Sequence, residues 1–244
     1  MPLLDSYGGA VHPSPPFDAP AARRLREALG MLPGHVAYGL GAQYGLRVAT
    51  ETVIAWERGT AVPSEYELTA LAGVLWCSPG ELLTGARTLR EHRMAKGLDP
   101  AEFARLLGLT GDAYRRMEES GRWRGNDRQS ALLNKVLGLT AAGFVTVSGR
   151  DEELTGLLRD AVTTRWQARV RPVAKLVPLE RGAVQDVLEQ LHADYQALMV
   201  PTLSWNGTGT GAERAGTTGE AGRDFLSGVL ERFWRTAGVH GPHV

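Results

Sequence analysis

The chain has a single cysteine, Cys77, among 244 residues. One thiol can form neither an internal disulfide nor a thiolate metal centre. Its surroundings, GVLWCSPG, are apolar, so Cys77 reads as a small buried hydrophobe. No run of about 18 apolar residues occurs, and no membrane span is expected. The opening stretch, MPLLDSYGGAVHPSPPFDAP, lacks a basic region followed by an apolar core, so no signal peptide is expected and the expected location is cytoplasmic. The six histidines, His12, His35, His92, His192, His240 and His243, show no metal-ligand spacing. No glycine-rich loop follows a strand, and no Ser, Cys or Thr stands in a nucleophile motif. These absences lead to an expectation of no catalysis, no metal and no cofactor.

Lysine is also scarce: Lys96, Lys135 and Lys175 stand beside 24 arginines. With abundant Ala and Gly, that bias suggests a GC-rich genome. The formal net charge is zero, but it is unevenly spread. Arg87 to Arg150 holds 12 basic residues against 7 acidic ones. Residues 21–86 hold 5 against 6, and 151–244 hold 10 against 12. The positive excess of the middle segment suits a polyanion such as a phosphate backbone, although an ordinary solvated face gives the same count.

Residues 1–20 are rich in Pro and Gly without a period and read as a flexible tail. From Ala21 to about Val200 nearly everything has helical spacing. Ser64-x-x-Glu67, Ser78-Pro79-x-Glu81 and Asp99-Pro100-x-Glu102 mark helix starts, each with a capping oxygen three residues before a carboxylate. Strand signals are few, at 145–149 and 173–178, and short enough to be loop. The spacing predicts one helix over residues 152–170, halted by Pro172, and a second over Arg181–Met199. Residues 206–222, NGTGTGAERAGTTGEAG, read as a Gly/Thr-rich linker. A last amphipathic helix over 223–237 gathers Phe225, Leu226, Val229, Leu230, Phe233 and Trp234 on one side. That stripe needs a partner surface, on its own body or on another subunit.

Residues 88–121 have the form of a helix-turn-helix. Ala104 is the small residue where two helices approach, Gly108 serves the turn, and Thr110 caps the next helix. Tyr114 and Met117 face inward three residues apart. With Glu118, this spacing resembles the XRE, or lambda-repressor-like, family of DNA-binding domains. The resemblance implies an ion pair between Arg93, four residues before Gly97, and Glu118. Leu25-Arg26-Glu27 and Trp56-Glu57-Arg58-Gly59 repeat parts of the pattern and imply an Arg26–Glu57 pair. Gly45 to Glu57 is two residues longer than Gly108 to Glu118, and the preceding helix is about one turn longer. The expected architecture is all-α: two tandem five-helix domains over 21–86 (divergent) and 87–148, then a helical C-terminal region over 149–205, the linker and the last helix. Family and composition together suggest an actinobacterial type.

The resemblance implies transcriptional regulation, with one short helix in the major groove of double-stranded DNA. Thr110, Gly111, Asp112, Arg115 and Arg116 stand at reading positions of the second copy. Arg122 and Arg124, in the basic loop GRWRGN, and Arg128 behind them are candidates for phosphate. Trp123 is expected to pack under that loop. The first copy offers Arg47, Thr50, Glu51, Ile54, Ala55 and Arg58. Ile54 and Ala55 are poor groove chemistry, so this face also suits a protein contact. A homodimer through the C-terminal region or the first helix-turn-helix is expected. The alternative is an XRE-like scaffold that binds a protein partner and no longer reads DNA. A basic cluster at Arg165, Arg169, Arg171 and Lys175 reads as helix-end cations or as an added phosphate contact. A small-molecule pocket among Trp166, Tyr195 and Trp205 stays open as a third possibility.

Overall fold

A computed structural model describes residues 15–199 and 211–238. Among the described residues the chain is all-α, with fourteen helices, two short 3-10 turns and no strand. It divides into two compact units, with the boundary between Ser120 and Gly121. That boundary lies inside the 87–148 segment that the resemblance groups as one domain.

The first unit runs α1 (Ala19–Ala28), α2 (Pro33–Tyr44), α3 (Thr50–Glu57), α4 (Glu65–Val74), a 3-10 turn at Pro79–Leu82, α5 (Leu89–Ala95), α6 (Pro100–Leu106) and α7 (Gly111–Ser120). Its helix starts follow local chemistry. Ser64 Oγ accepts from the Glu67 N–H while Glu67 accepts from the Ser64 N–H, a reciprocal box that opens α4. Asp99 accepts from the N–H groups of Ala101 and Glu102 and opens α6. Residues 15–20 are not a loose tail. Asp18 caps α1 through the Ala21 N–H, the Asp18 N–H donates to Leu82 O, and the Thr84 N–H donates to Pro16 O.

The core of α1–α4 comprises Val36, Leu40, Val53, Trp56, Leu71, Val74, Leu75 and Leu82. Leu68, Leu83 and Met94 form a smaller cluster that joins α4 to α5. A charge network crosses the same seam. Arg93, 1% exposed, donates to Glu118 at 2.7 Å, to Glu65 at 2.6 Å and to Leu98 O at 2.6 Å. Arg90 donates to the other oxygen of Glu65 at 3.0 Å. Burial alone would lower the Arg93 pKa, but the hydrogen bonds to Glu118 and Glu65 outweigh it and hold the guanidinium charged. Burial likewise favours neutral Glu65, and the pairs with Arg93 and Arg90 keep its carboxyl below the usual range.

The second unit runs α8 (Asp127–Leu137), α9 (Ala141–Val147), α10 (Asp151–Thr163), a 3-10 turn at Trp166–Arg169, α11 (Val170–Leu176), α12 (Arg181–Met199), α13 (Gly211–Ser227) and α14 (Val229–Thr236). The two strand signals lie largely within α9 and α11 and are helical. The helix expected to reach Pro172 ends at Thr163. There the Thr163 and Thr164 hydroxyls donate back to the carbonyls of Arg159 and Asp160, offering the backbone an alternative to the helix. Pro172 falls in the first turn of α11, where its missing N–H is not needed.

The stretch expected to be linker is helical from Gly211 onward, and 206–210 lies outside the described residues. Tertiary packing overrides the weak glycine-rich propensity. Gly222 is buried close against Tyr195 and Met199, and Phe225 packs on the Tyr195 ring at 5.5 Å. The apolar stripe that needed a partner docks on the same chain. Phe225, Val229, Phe233 and Trp234 share one core with Leu154, Leu158, Leu188 and Leu191.

Two stability measurements follow from these contacts. Phe233→Ala should lower the stability of the second unit by about 3–5 kcal/mol in urea unfolding, because Phe233 is fully buried. Glu65→Gln should cost about 3 kcal/mol at pH 7, since it leaves Arg93 short of one buried partner. A carboxyl held below its unfolded value stabilises at neutral pH and loses that contribution as pH falls through its folded pKa. The difference between wild type and Glu65→Gln should therefore shrink below about pH 4.

Candidate nucleic-acid interface

Helix α7 is anchored on one side and open on the other. Thr110 Oγ1 accepts from the Ala113 N–H at 3.3 Å and fixes its start. Tyr114 is fully buried and meets Phe103 edge to face, with ring centroids 5.3 Å apart. Ala104, the small residue expected at the helix approach, is also fully buried. The Tyr114 hydroxyl donates to Glu118 at 2.6 Å, and Glu118 accepts from Arg93. Burial, then the negative charge of Glu118, pushes the Tyr114 pKa far up, so the phenol stays a donor. The inward side of α7 is thus tied through Tyr114 and Glu118 to α5 and α6.

The outward side carries Gly111, Asp112, Arg115, Arg116 and Glu119, all exposed. Asp112 lies 3.4 Å from Arg115, an exposed pair that holds little energy but occupies part of the guanidinium. Arg116 is in no ion pair among the described residues.

Helix α3 repeats the anchor but not the display. Arg26 donates to both oxygens of Glu57, at 2.6 and 2.8 Å, and to Met31 O at 2.7 Å. The acceptors match those of Arg93: one carboxylate and the carbonyl five residues on. Arg93 alone adds Glu65. On α3 Thr50, Ile54 and Ala55 are half-buried and Glu51 is exposed, so no long donor faces outward there. Arg47 and Arg58 are exposed at either end of the helix. The preceding helix α2 has 12 residues where α6 has 7.

In the second unit the loop 121–126 is built around Trp123. The indole is 3% exposed and donates from Nε1 to Ser130 Oγ at 2.8 Å. Gly125 passes flat against the ring: a Cβ there would stand 2.2 Å from Trp123 Cζ2. Gly149 lies close against the start of the loop, where a Cβ would stand 2.5 Å from Gly121 O. Asn126 and Gln129 exchange side-chain and backbone hydrogen bonds and open α8. Arg122 and Arg124, on either side of the buried Trp123, are exposed, as is Arg128. Two cations thus ride on a loop held by a buried ring.

The remaining candidates divide. Arg169 pairs with Asp160 at 3.3 Å, and Arg165, Arg171 and Lys175 are exposed. Arg165 lies two residues beyond the end of α10 and Lys175 in the last turn of α11, so a helix C-terminus accounts for both, while Arg169 reaches back to Asp160 in the last turn of α10. Trp166 and Tyr195 pack on the apolar core, and Trp205 lies outside the described residues. His12, His240 and His243 lie outside them as well. Sequence reading missed Glu65: its place in the first turn of α4 carries no sign of a role beyond that helix.

No family model, curated protein or solved structure matches this chain.

The loop geometry can be tested directly. Gly125→Ala forces a methyl into the Trp123 ring, and it should destabilise the second unit by about 1–3 kcal/mol in urea unfolding. A neutral result would show that Trp123 does not organise the loop.

Proposed function

We propose that this chain is a cytoplasmic DNA-binding transcriptional regulator of the XRE, lambda-repressor-like type, with α7 as the helix that enters the major groove. The observation that carries this reading is the two-sidedness of α7. Its inner face is fixed by the buried Tyr114–Glu118–Arg93 network, and its outer face presents Arg115 and Arg116 to solvent. A helix that must keep its orientation against a phosphate surface needs a rigid inner face, and guanidinium groups suit both phosphates and guanine edges. In the second unit, Arg122 and Arg124, exposed on the Trp123 loop, are separate candidates for phosphate. Helix α3 holds the same kind of buried clamp without outward donors, so α7 is the preferred reader and α3 the modified relative.

A second reading is favoured by one observation: Asp112, at a reading position, engages Arg115. In that reading the helix-turn-helix frame holds a protein partner and no longer reads DNA.

Capture of genomic fragments under native conditions supplies the site, and fluorescence anisotropy on that site separates the two readings. Alanine at Arg115, Arg116, Arg122 and Arg124 should abolish binding at low salt. Replacing any one arginine that neutralises a phosphate should flatten the slope of log K against log salt by roughly 0.9. Unchanged affinity in the fourfold variant would overturn the DNA assignment, and no captured DNA would support the protein-binding one.

A further inference from the structure

α4 belongs to the first helix-turn-helix copy, yet its first residue serves the second. Glu65 is not needed as a cap, because Glu67 already accepts from the Ser64 N–H and completes that box. Both Glu65 oxygens turn instead to α5. Oε1 accepts from Arg93 Nη1 at 2.6 Å, and Oε2 accepts from Arg90 Nε at 3.0 Å. The same seam has contacts of two other kinds. Leu68 and Leu83 of the first copy pack with Met94 of α5. Backbones also approach: a Cβ at Gly80 would stand 3.1 Å from Ala95 O, and one at Gly97 3.5 Å from Pro79 Cγ. α5 has seven residues, and four of them, Arg90, Arg93, Met94 and Ala95, meet the first copy.

The two arginine clamps differ in what they lean on. Arg26 grips both oxygens of Glu57, at 2.6 and 2.8 Å, and the other carboxylate beside it, Glu27, is in the same copy. Arg93 grips one oxygen of Glu118 closely, at 2.7 Å, and the other only at 3.4 Å. Its Nη1 turns to Glu65 and to Leu98 O. The first clamp is closed within its own copy, while the second takes an acceptor from its neighbour. The dependence runs one way.

We propose that the first copy is a brace for α7. Glu65 is a positioning residue: it orients the Arg93 guanidinium, which in turn fixes Glu118 and the helix that carries it. This gives a role to a copy whose own α3 presents no long donor, since it stiffens the frame of the copy that does. A binding surface keeps its geometry only where the side chains behind it are locked. The consequence for affinity rests on the reading of α7 as a DNA-binding helix, whereas the mechanical claim stands without it. Glu65 also gives the effect a distinctive sign. A carboxylate near a polyanion opposes binding, so loss of its charge alone tightens the complex. A brace predicts the reverse, weaker binding after a negative charge is removed.

Two readouts on Glu65→Gln in the full chain test this. Amide exchange followed by mass spectrometry should show α7 opening at least about tenfold faster than in wild type, relative to α3 in the same sample. A general loss of stability speeds both helices together, so the ratio isolates the brace. Arg90→Ala removes only the second bond to Glu65. It should shift the ratio the same way by a smaller factor, and it carries the test if Glu65→Gln does not fold. On DNA captured by the wild type, and where the variant is folded, Glu65→Gln should raise Kd at least about tenfold. An α7-to-α3 ratio unchanged in both variants, or a Kd unchanged or lowered in Glu65→Gln, would overturn the brace. A wild type that captures no DNA would overturn the reading of α7 instead, and the exchange ratio then decides the brace by itself.

Discussion

A guanidinium withdrawn almost wholly from water is tolerated only if its donors find acceptors, and in the first unit that demand falls on Arg93. Glu118, Glu65 and Leu98 O meet it together. Each acceptor comes from a different place: α7, the first turn of α4, and the turn after α5. Satisfying one charge therefore fixes three pieces of backbone. The Tyr114 hydroxyl extends the chain of contacts by donating to Glu118, and its ring meets Phe103 of α6. A network of this kind costs desolvation, and its main return is definition: an alternative placement of α7 would leave a buried charge unpaired.

Arg26 makes the comparison instructive. It has the same two acceptor types, Glu57 and Met31 O, and its second carboxylate, Glu27 at 3.6 Å, lies on its own helix α1. Its clamp is confined to α1, α3 and the turn between α1 and α2, whereas that of Arg93 reaches back to α4. The apolar cluster of Leu68, Leu83 and Met94 lies on the same seam. Charge and apolar packing thus join α4 to α5 where chain connectivity alone would allow a hinge. The outward faces differ in the complementary sense. α7 shows arginines, α3 shows none, and the exposed aromatics gather near α2 and α4.

Much of this was legible from local rules. The helix-turn-helix spacing from Ala104 to Glu118 predicts a small residue at the helix approach and a capping Thr110, because each depends on residues at fixed helical offsets; the Arg93–Glu118 pair, 25 residues apart, came only from the resemblance. Trp123 under its loop follows from a large ring flanked by two cations and a glycine. Less was legible where packing decides. Residues 211–222 have the composition of a linker, yet Gly222 gains its place by lying against Tyr195 and Met199. Periodicity carried α10 on to Pro172, while two threonine hydroxyls end it at Thr163. Residues 15–20 have tail composition but are held by Leu82 and Thr84, partners more than 60 residues away in the chain.

By itself, the amino-acid order determined the helical class, the caps, the glycine turns and the arginine positions on α7, since these depend on neighbours within four residues. Tertiary structure decided what such spacing cannot encode. It recruited Glu65 to Arg93 across 28 residues and returned Phe225, Phe233 and Trp234 to their own chain. It also left Trp76 in solvent on a strained backbone. The reason is physical: burial and charge pairing are set by which surfaces meet in space. A residue's offset along the chain states its helix face but not the partner that face will find.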